Sequence, residues 1–187
     1  MKILTAGQAV PAPLMKALVV ALGVAVLTAS AKISIPFWPV PMTLQTLALM
    51  GIAVTLGARG AVAVMVAYLA AGAMGLPVFT GTPERGIGLA YMVGPTGGYL
   101  LGYLIAAGLV GYFAAGRGFW GRFAAMLLGM VPVYALGAAW LAMYVPAAKI
   151  WAAGVAPFLL GDFLKIALLA VGGSAVGRLT RSKGPSA

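Results

Sequence analysis

Residues 157–170, PFLLGDFLKIALLA, form a run that is apolar enough to lie in a lipid bilayer, yet they carry Asp162 and Lys165. On insertion scales, a lone ionised group at the centre of a membrane helix costs about 2.5 to 3.5 kcal/mol. A spacing of three places both side chains on one helical face, where they can pair or share a ligand. The alternatives are a pair that only neutralises itself, or a lysine that extends to the membrane interface. We expect a functional pair.

The composition extends this interpretation to the whole chain. Of its 187 residues, 63% are hydrophobic and 7% are charged, and the mean hydropathy is +1.08. Apolar runs recur along nearly the full length, which no ordinary soluble domain shows. The chain is therefore predicted to be a multi-pass integral membrane protein with a single membrane domain over residues 1–187.

The apolar runs predict six transmembrane helices, since about 20 apolar residues are needed to cross roughly 30 Å of hydrocarbon. The predicted segments are 15–33, 42–56, 61–76, 97–115, 123–144 and 157–177. The second and third are short, and residues 57–60, GARG, join them, which predicts a helical hairpin with a basic turn. The expected fold is an all-α, compact bundle of six helices.

The charge distribution predicts the orientation of this bundle. The formal net charge is +10, but the basic residues are spread thinly between apolar runs, which argues against nucleic acid as a partner. Six spans place both termini on one side, where basic residues predominate: Lys2, Lys16, Arg59, Arg117, Arg122, Arg178, Arg181 and Lys183. The other side holds Lys32, Arg85, Lys149 and Lys165. The positive-inside rule then predicts cytoplasmic termini.

Missing residue types exclude several functions. The chain has no Cys and no His, which excludes disulfides, thiolate metal sites and histidine-dependent catalytic triads. It has no GxxxxGK[ST] loop for nucleotide phosphates. We therefore expect no enzyme activity, no catalytic residue, no metal and no cofactor. Any transport must draw its energy from partner subunits or from a gradient.

The N-terminal apolar segment has two further features. Lys16, the apolar run 17–28 and the triplet 29–31, ASA, resemble a cleavable signal peptide. The preceding stretch of about fifteen residues is long for the positively charged N-terminal region of a signal peptide, so we expect a retained first helix. Ala17, Ala21, Ala25 and Ala29 form a stripe of small residues that allows close helix approach. Packing within the bundle and docking of another subunit both remain open.

Two outward connections are predicted to pack over a binding site. Residues 35–45, IPFWPVPMTLQ, hold three prolines, and residues 75–99 are rich in glycine, proline and aromatic residues. Proline at this density cannot continue a helix. Loops this long are usually functional or disordered, and the low polarity of these argues against disorder.

Four motifs in order resemble the biotin-specific S-component family of energy-coupling factor transporters, BioY. They are ISIPFWPVPMTLQTLA (33–48), AYLAAGAMGLPVF (67–79), GPTGGYLLGY (94–103) and PFLLGDFLK (157–165). The resemblance covers residues 29–170. It implies a six-helix subunit of the bacterial inner membrane, surrounded by lipid, that binds biotin with high affinity.

In this family a transmembrane coupling subunit and a pair of ATPases supply the energy, so ATP would be used by partner subunits only. S-components carry an AxxxA pattern on the first helix that contacts the coupling subunit, and Ala17, Ala21 and Ala25 match it. A stand-alone or homo-oligomeric carrier for biotin or another small organic anion is the alternative function.

The resemblance also suggests how biotin would be held. Asp162 and Lys165 offer an acceptor and donors to the mixed edge of the ureido ring. Arg85 is the expected partner of the biotin carboxylate, and aromatic residues of the outer loops would wall the bicycle. The predicted substrate-binding set is Asp162, Lys165, Arg85, Gln45, Phe37, Trp38, Tyr91 and Glu84.

Overall fold

The computed structural model describes residues 11–181, with side chains described for residues 11–172. Within this range the chain is mostly helical. Its elements are α1 (Ala12–Lys32), β1 (Ser34–Ile35), β2 (Met42–Thr43), α2 (Gln45–Ala73), α3 (Gly88–Met92), α4 (Gly97–Phe113), α5 (Phe119–Leu141), α6 (Ala147–Gly154) and α7 (Ala156–Arg181).

Four helical stretches in the described part of the chain are long and apolar enough to cross a membrane. They are α1, α2, α5 and the continuous stretch Ala147–Gly172, and the apolar α4 is shorter at 17 residues. Helices suit this setting because every backbone polar group must be satisfied internally where there is no water.

Helix α2 reverses direction at a glycine. Gly57 has φ +70° and ψ −179°, outside helical geometry, and glycine adopts positive φ without a steric penalty. The side chains of Gln45 and Tyr68 interact, whereas a straight helix with a rise of 1.5 Å per residue would separate them by about 34 Å. The two halves of α2 therefore fold back on each other.

This reversal corrects the predicted hairpin in two respects. The turn is made at Gly57 alone, so the predicted four-residue linker 57–60 is otherwise helical. The predicted helix 42–56 begins too early, because Met42 lies in β2, which pairs with Ile35 of β1. Prolines at 36, 39 and 41 fill the turn of this small sheet, which the all-α prediction did not include.

The remaining predicted helices are present with shifted ends. Segments 15–33, 97–115, 123–144 and 157–177 correspond to α1, α4, α5 and α7. Helix α5 starts four residues early, at Phe119, whose ring stacks on that of Phe123. The short helices α3 and α6 were not predicted. Helix α3 lies in the loop before α4, and α6 directly precedes α7 in the same apolar stretch.

Helices α4 and α5 form the rigid centre of the bundle. A Cβ atom added to Gly102 would lie 2.6 Å from the Cα of Val133 and 2.9 Å from the carbonyl oxygen of Pro132. Only glycine allows this approach of two backbones. Gly98 meets α5 in the same way at Leu136, so this glycine pair serves internal packing.

Helix α1 is attached to the bundle along one narrow face. Its buried residues are Gly23, Leu27, Ser30 and Ala31, and Gly23 packs directly on the side chain of Val64. The alanine stripe at 17, 21, 25 and 29 is exposed along its whole length. Within the described residues, the stripe is therefore not used for internal packing.

The loops that were predicted to face outward gather at one end of the bundle, which we call the outer end after that prediction. Basic residues of the opposite predicted side lie at the other end. The outer end contains β1, β2, α3 and α6, whereas Lys16, Arg59, Arg117 and Arg122 lie near the opposite helix ends. Lys2 and Lys183, used in the charge argument, lie outside the described residues. Arg178 and Arg181 lie outside the range with described side chains.

Candidate functional site

A cavity of about 540 Å³, including its open mouth, lies at the outer end of the bundle. The strand β2, the start of α2, the long loop before α4, and helices α4, α5 and α7 converge on it. Its lining residues are Val40, Pro41, Met42, Thr43, Gln45, Thr46, Thr80, Tyr91, Thr96, Tyr99, Leu100, Tyr103, Val133, Tyr134, Phe158, Asp162 and Lys165.

Asp162 is the acceptor at the centre of this cavity. The residue is 6% exposed, and its Oδ1 accepts hydrogen bonds from Thr46 Oγ1 at 2.7 Å and Lys165 Nζ at 2.8 Å. The hydroxyl of Tyr134 donates to Oδ2 at 2.6 Å. A carboxylate has about four acceptor positions, so one stays open to a ligand.

The ammonium group of Lys165 is also fully hydrogen-bonded to protein atoms. Its ammonium donates to Asp162 Oδ1, to the carbonyl oxygen of Thr43 at 2.7 Å and to Thr46 Oγ1 at 3.1 Å. An ammonium group has three N–H donors, and each has an acceptor here. The pair is therefore neutral, almost fully buried and hydrogen-bonded on both sides.

Gln45 supplies the donor that is not satisfied. The residue is 4% exposed and lines the cavity. Its side chain lies near the Tyr68 hydroxyl, but Nε2 makes no hydrogen bond of normal geometry within the described part of the chain. Leaving a buried polar group without a partner costs about 1 to 3 kcal/mol. A ligand with an acceptor at this position would remove that cost.

Aromatic residues form the walls. Tyr91 stacks on Phe79 with ring centroids 4.8 Å apart, and the Tyr99 hydroxyl donates to the carbonyl oxygen of Gly154 at 2.7 Å. Burial raises the pKa of Tyr91 above its ordinary value, so its hydroxyl remains a donor at neutral pH. Phe37 does not line the cavity, but packs edge-on against Phe158, which does.

Arg85 lies in a second cavity, which we call the vestibule. Its volume is about 550 Å³ including its open mouth, and its lining residues are Trp38, Pro39, Arg85, Tyr91, Gly94, Pro95 and Thr96. Tyr91 and Thr96 line both cavities, so the vestibule adjoins the main cavity along this wall. Arg85 itself is exposed, and Trp38 is 78% exposed at the rim.

The structure groups most of the predicted site residues, but not all of them. Asp162, Lys165, Gln45 and Tyr91 line the main cavity, and Arg85 and Trp38 line the vestibule. Phe37 contributes only through Phe158. Glu84 is exposed on the outer loop and lines neither cavity.

Several lining residues were missed. Thr43 and Thr46 flank Gln45 in a motif that had been noted, and Thr96, Tyr99 and Tyr103 belong to the motif 94–103. Hydroxyl side chains within apolar segments were the sequence feature that could have identified these residues as part of a polar site. Tyr134 lies in none of the four motifs, and nothing in its local sequence marks it.

Comparisons with known proteins agree on one family. The BioY family profile matches residues 5–182. The biotin transporter BioY of Rhizobium etli is 38% identical over 175 residues, covering 87% of this chain and 89% of that protein. The biotin transporter BioY of Thermotoga maritima is 36% identical over 149 residues, covering 79% and 86%.

A solved structure is also similar. It is the crystal structure of the S-component for biotin from an ECF-type ABC transporter, which is 28% identical to this chain. The two superpose with a TM-score of 0.75 over 97% of this chain and 96% of the other.

The geometry of the buried pair predicts an unusual order of stability among variants. Lys165→Met leaves the Asp162 carboxylate buried without its counter-charge, which costs about 3 to 5 kcal/mol. The double variant Asp162→Asn, Lys165→Met removes both charges. Its amide oxygen still accepts from Thr46, and its amide N–H can donate to the hydroxyl oxygen of Tyr134. Its thermal unfolding midpoint in detergent should therefore lie closer to the wild type than that of Lys165→Met.

Lys149→Met is the control, because Lys149 is an exposed lysine on α6; its midpoint should match the wild type. A double variant that melts no later than Lys165→Met would show that the charges are not compensating each other.

Proposed function

The chain belongs to the BioY family, and from that membership we propose that it is a membrane subunit that binds biotin from outside the cell for uptake. The relatives named above are transporters, which agrees with the prediction that this chain is not an enzyme. The protein is integral to the membrane.

The arrangement of donors and acceptors around Asp162 carries this proposal. The ureido group of biotin has two N–H donors and one carbonyl acceptor. Asp162 keeps an open acceptor position, and Gln45 Nε2 is a buried donor without a partner. A ureido group between them would satisfy both.

The rest of the cavity suits the rest of the ligand. Tyr99, Tyr103 and Phe158 provide apolar walls for the thioether bicycle. The acyl arm would then extend past Tyr91 towards the vestibule, where Arg85 offers a bidentate partner for a carboxylate.

Binding of biotin to the purified chain tests this proposal directly. Asp162→Asn removes the charge-assisted acceptor and leaves Lys165 an unpaired cation, so biotin affinity should fall at least about tenfold, or about 1.4 kcal/mol. Desthiobiotin, which keeps the ureido group, should still bind the wild type. The measurement is isothermal titration calorimetry in detergent.

Glu84→Gln is a matched control, because it makes the same carboxylate-to-amide change on the exposed loop and should bind biotin like the wild type. Undiminished affinity in a folded Asp162→Asn variant would refute the role given to Asp162. Failure of the wild type to bind biotin would refute the function.

A second experiment locates the carboxylate of the ligand. If Arg85 pairs with it, biotin amide should bind the wild type more weakly than biotin does, and Arg85→Gln should abolish most of that difference. The comparison of two ligands and two proteins is a double-mutant cycle, so it yields the coupling directly. Arg59→Gln, at the opposite end of the bundle, is the control and should leave the difference intact.

Additive effects in this cycle would contradict the pairing with Arg85. They would assign the carboxylate to backbone donors, or to Lys165 only if it gives up one of its three protein acceptors.

The orientation in the membrane is part of the proposal. The two halves of α2, together with α1, α4, α5 and α7, give six crossings, and an even number leaves both termini on the same side. The excess of basic residues at that end favours the cytoplasm. We propose a location in the bacterial inner membrane, with the biotin cavity facing outward.

We also propose that a coupling subunit and a pair of ATPases drive uptake. The sequence has no phosphate-binding loop of its own, and the alanine stripe on α1 is exposed to receive another helix. A stand-alone or homo-oligomeric carrier is the second candidate, since the same stripe could join two copies. Uptake measured in a host without coupling subunits distinguishes the two.

Substitutions in the stripe should separate transport from binding. Ala21→Leu or Ala25→Leu adds methyl groups where a partner backbone would approach. Biotin affinity should stay unchanged, because the cavity is at the outer end of the bundle. Uptake dependent on the ATPases, and co-purification of the complex, should be lost.

Ala135→Leu makes the same change at an exposed alanine of α5 and should leave uptake intact. If the stripe variants bind biotin, assemble and transport normally, the docking surface lies elsewhere.

A further inference from the structure

Lys32, the last residue of α1, ties this helix to a loop that is 47 to 50 residues further along the chain. Its ammonium donates to the carbonyl oxygen of Phe79 at 2.9 Å, to Thr82 Oγ1 at 2.8 Å and to the Thr82 carbonyl oxygen at 3.2 Å. Thr82 Oγ1 in turn donates to the Phe79 carbonyl oxygen at 2.7 Å. All three N–H donors of the ammonium are used, and every acceptor is a neutral oxygen of this loop.

The bonded segment forms part of the cavity wall. Thr80, between the two anchoring residues, lines the cavity. Phe79 is 1% exposed, and its ring lies between the rings of Tyr68 and Tyr91. Phe79 therefore positions two residues that line the cavity. Thr80 follows it directly in the chain, and Tyr91 stacks on its ring.

The end of α1 is also bonded to a second part of the cavity lining. The chain passes from α1 directly into β1, and the Ile33 carbonyl oxygen accepts a hydrogen bond from the Leu44 backbone N–H at 3.1 Å. The carbonyl oxygen of Thr43, in the paired strand β2, holds Lys165. One helix end is thus bonded to both loops that enclose the cavity.

We infer that Lys32 is a positioning residue for substrate retention. Through its bonds to Phe79 and Thr82 it holds Thr80 and Tyr91 against the bound ligand. Because Lys32 belongs to α1, the position of Thr80 and Tyr91 also depends on the position of this helix. Helix α1 is held to the bundle along one narrow face and carries the exposed alanine stripe. The inference rests on the proposed function, since biotin is taken as the ligand.

Ligand kinetics test the inference. Lys32→Gln should raise the dissociation rate of biotin at least about tenfold and change its association rate much less, because affinity differences within one site arise mostly in dissociation. Lys32→Arg should restore slow dissociation, since a guanidinium can donate to the same oxygens. Lys149→Gln, at another lysine of the outer end, is the control and should behave as the wild type.

A double-mutant cycle identifies the partner. Thr82→Val removes the hydroxyl that accepts from Lys32, so the double variant Lys32→Gln, Thr82→Val should release biotin little faster than Lys32→Gln alone. Fully additive effects would overturn the link between the two residues.

Hydrogen exchange tests the same contact without ligand. In the empty protein, the backbone N–H groups of Arg85 and Gly86 bond within the loop, and they should exchange faster in Lys32→Gln than in Lys149→Gln. If the wild type fails to bind biotin, the proposed function is refuted. The role of Lys32 in holding the loop is then tested by the hydrogen exchange of Arg85 and Gly86 alone. Unchanged exchange and dissociation in Lys32→Gln would overturn it, as would a loss of thermal stability that Lys32→Arg does not restore.

Discussion

The cost of placing charge in a membrane is the constraint on which the site depends. Asp162 and Lys165 lie where few waters can solvate them, so each must be compensated by protein atoms. That requirement brings the hydroxyl of Thr46, the hydroxyl of Tyr134 and the carbonyl oxygen of Thr43 to one point. Elements β2, α2, α5 and α7 are thereby joined through polar contacts at the outer end, while apolar packing holds the rest of the bundle.

The reversal of α2 at Gly57 makes this convergence possible. It returns Tyr68 to the same end as Gln45 and Thr46, so α2 contributes to the cavity floor through its start and supports the cavity wall through its second half. Gly111 of α4 packs against this turn: a Cβ there would lie 2.4 Å from the Ala58 nitrogen. Gly57 is required by its positive φ, and Gly111 is required by the close contact of the two backbones.

How far the sequence predicted the site depends on how local each interaction is. Asp162 and Lys165 are three residues apart on one helix, so their spacing alone indicated a pair. Tyr134 completes the same cluster from a different helix, and only tertiary packing brings it there. The turn of α2 was predicted as a four-residue linker because composition marks GARG, whereas the break depends on the dihedral angles of Gly57 alone.

The loops show the same limit. Their apolar composition predicted that they pack over a site, and Tyr91 and Arg85 lie near it. Composition does not reveal which loop residues face inward, and this is why Glu84 was included and Thr80 was not. The bonds from Lys32 to the loop join residues 47 and 50 positions apart, a separation over which no periodic pattern operates.

The neutrality of the buried pair has an electrical consequence. Moving one elementary charge across a membrane at 100 mV changes the free energy by about 2.3 kcal/mol. Because the charges of Asp162 and Lys165 cancel within 2.8 Å, a tilt or shift of α7 relative to the bilayer carries no net charge through the field at this site. The buried pair therefore contributes no electrical work to such a movement, although two fully ionised side chains lie within the helix.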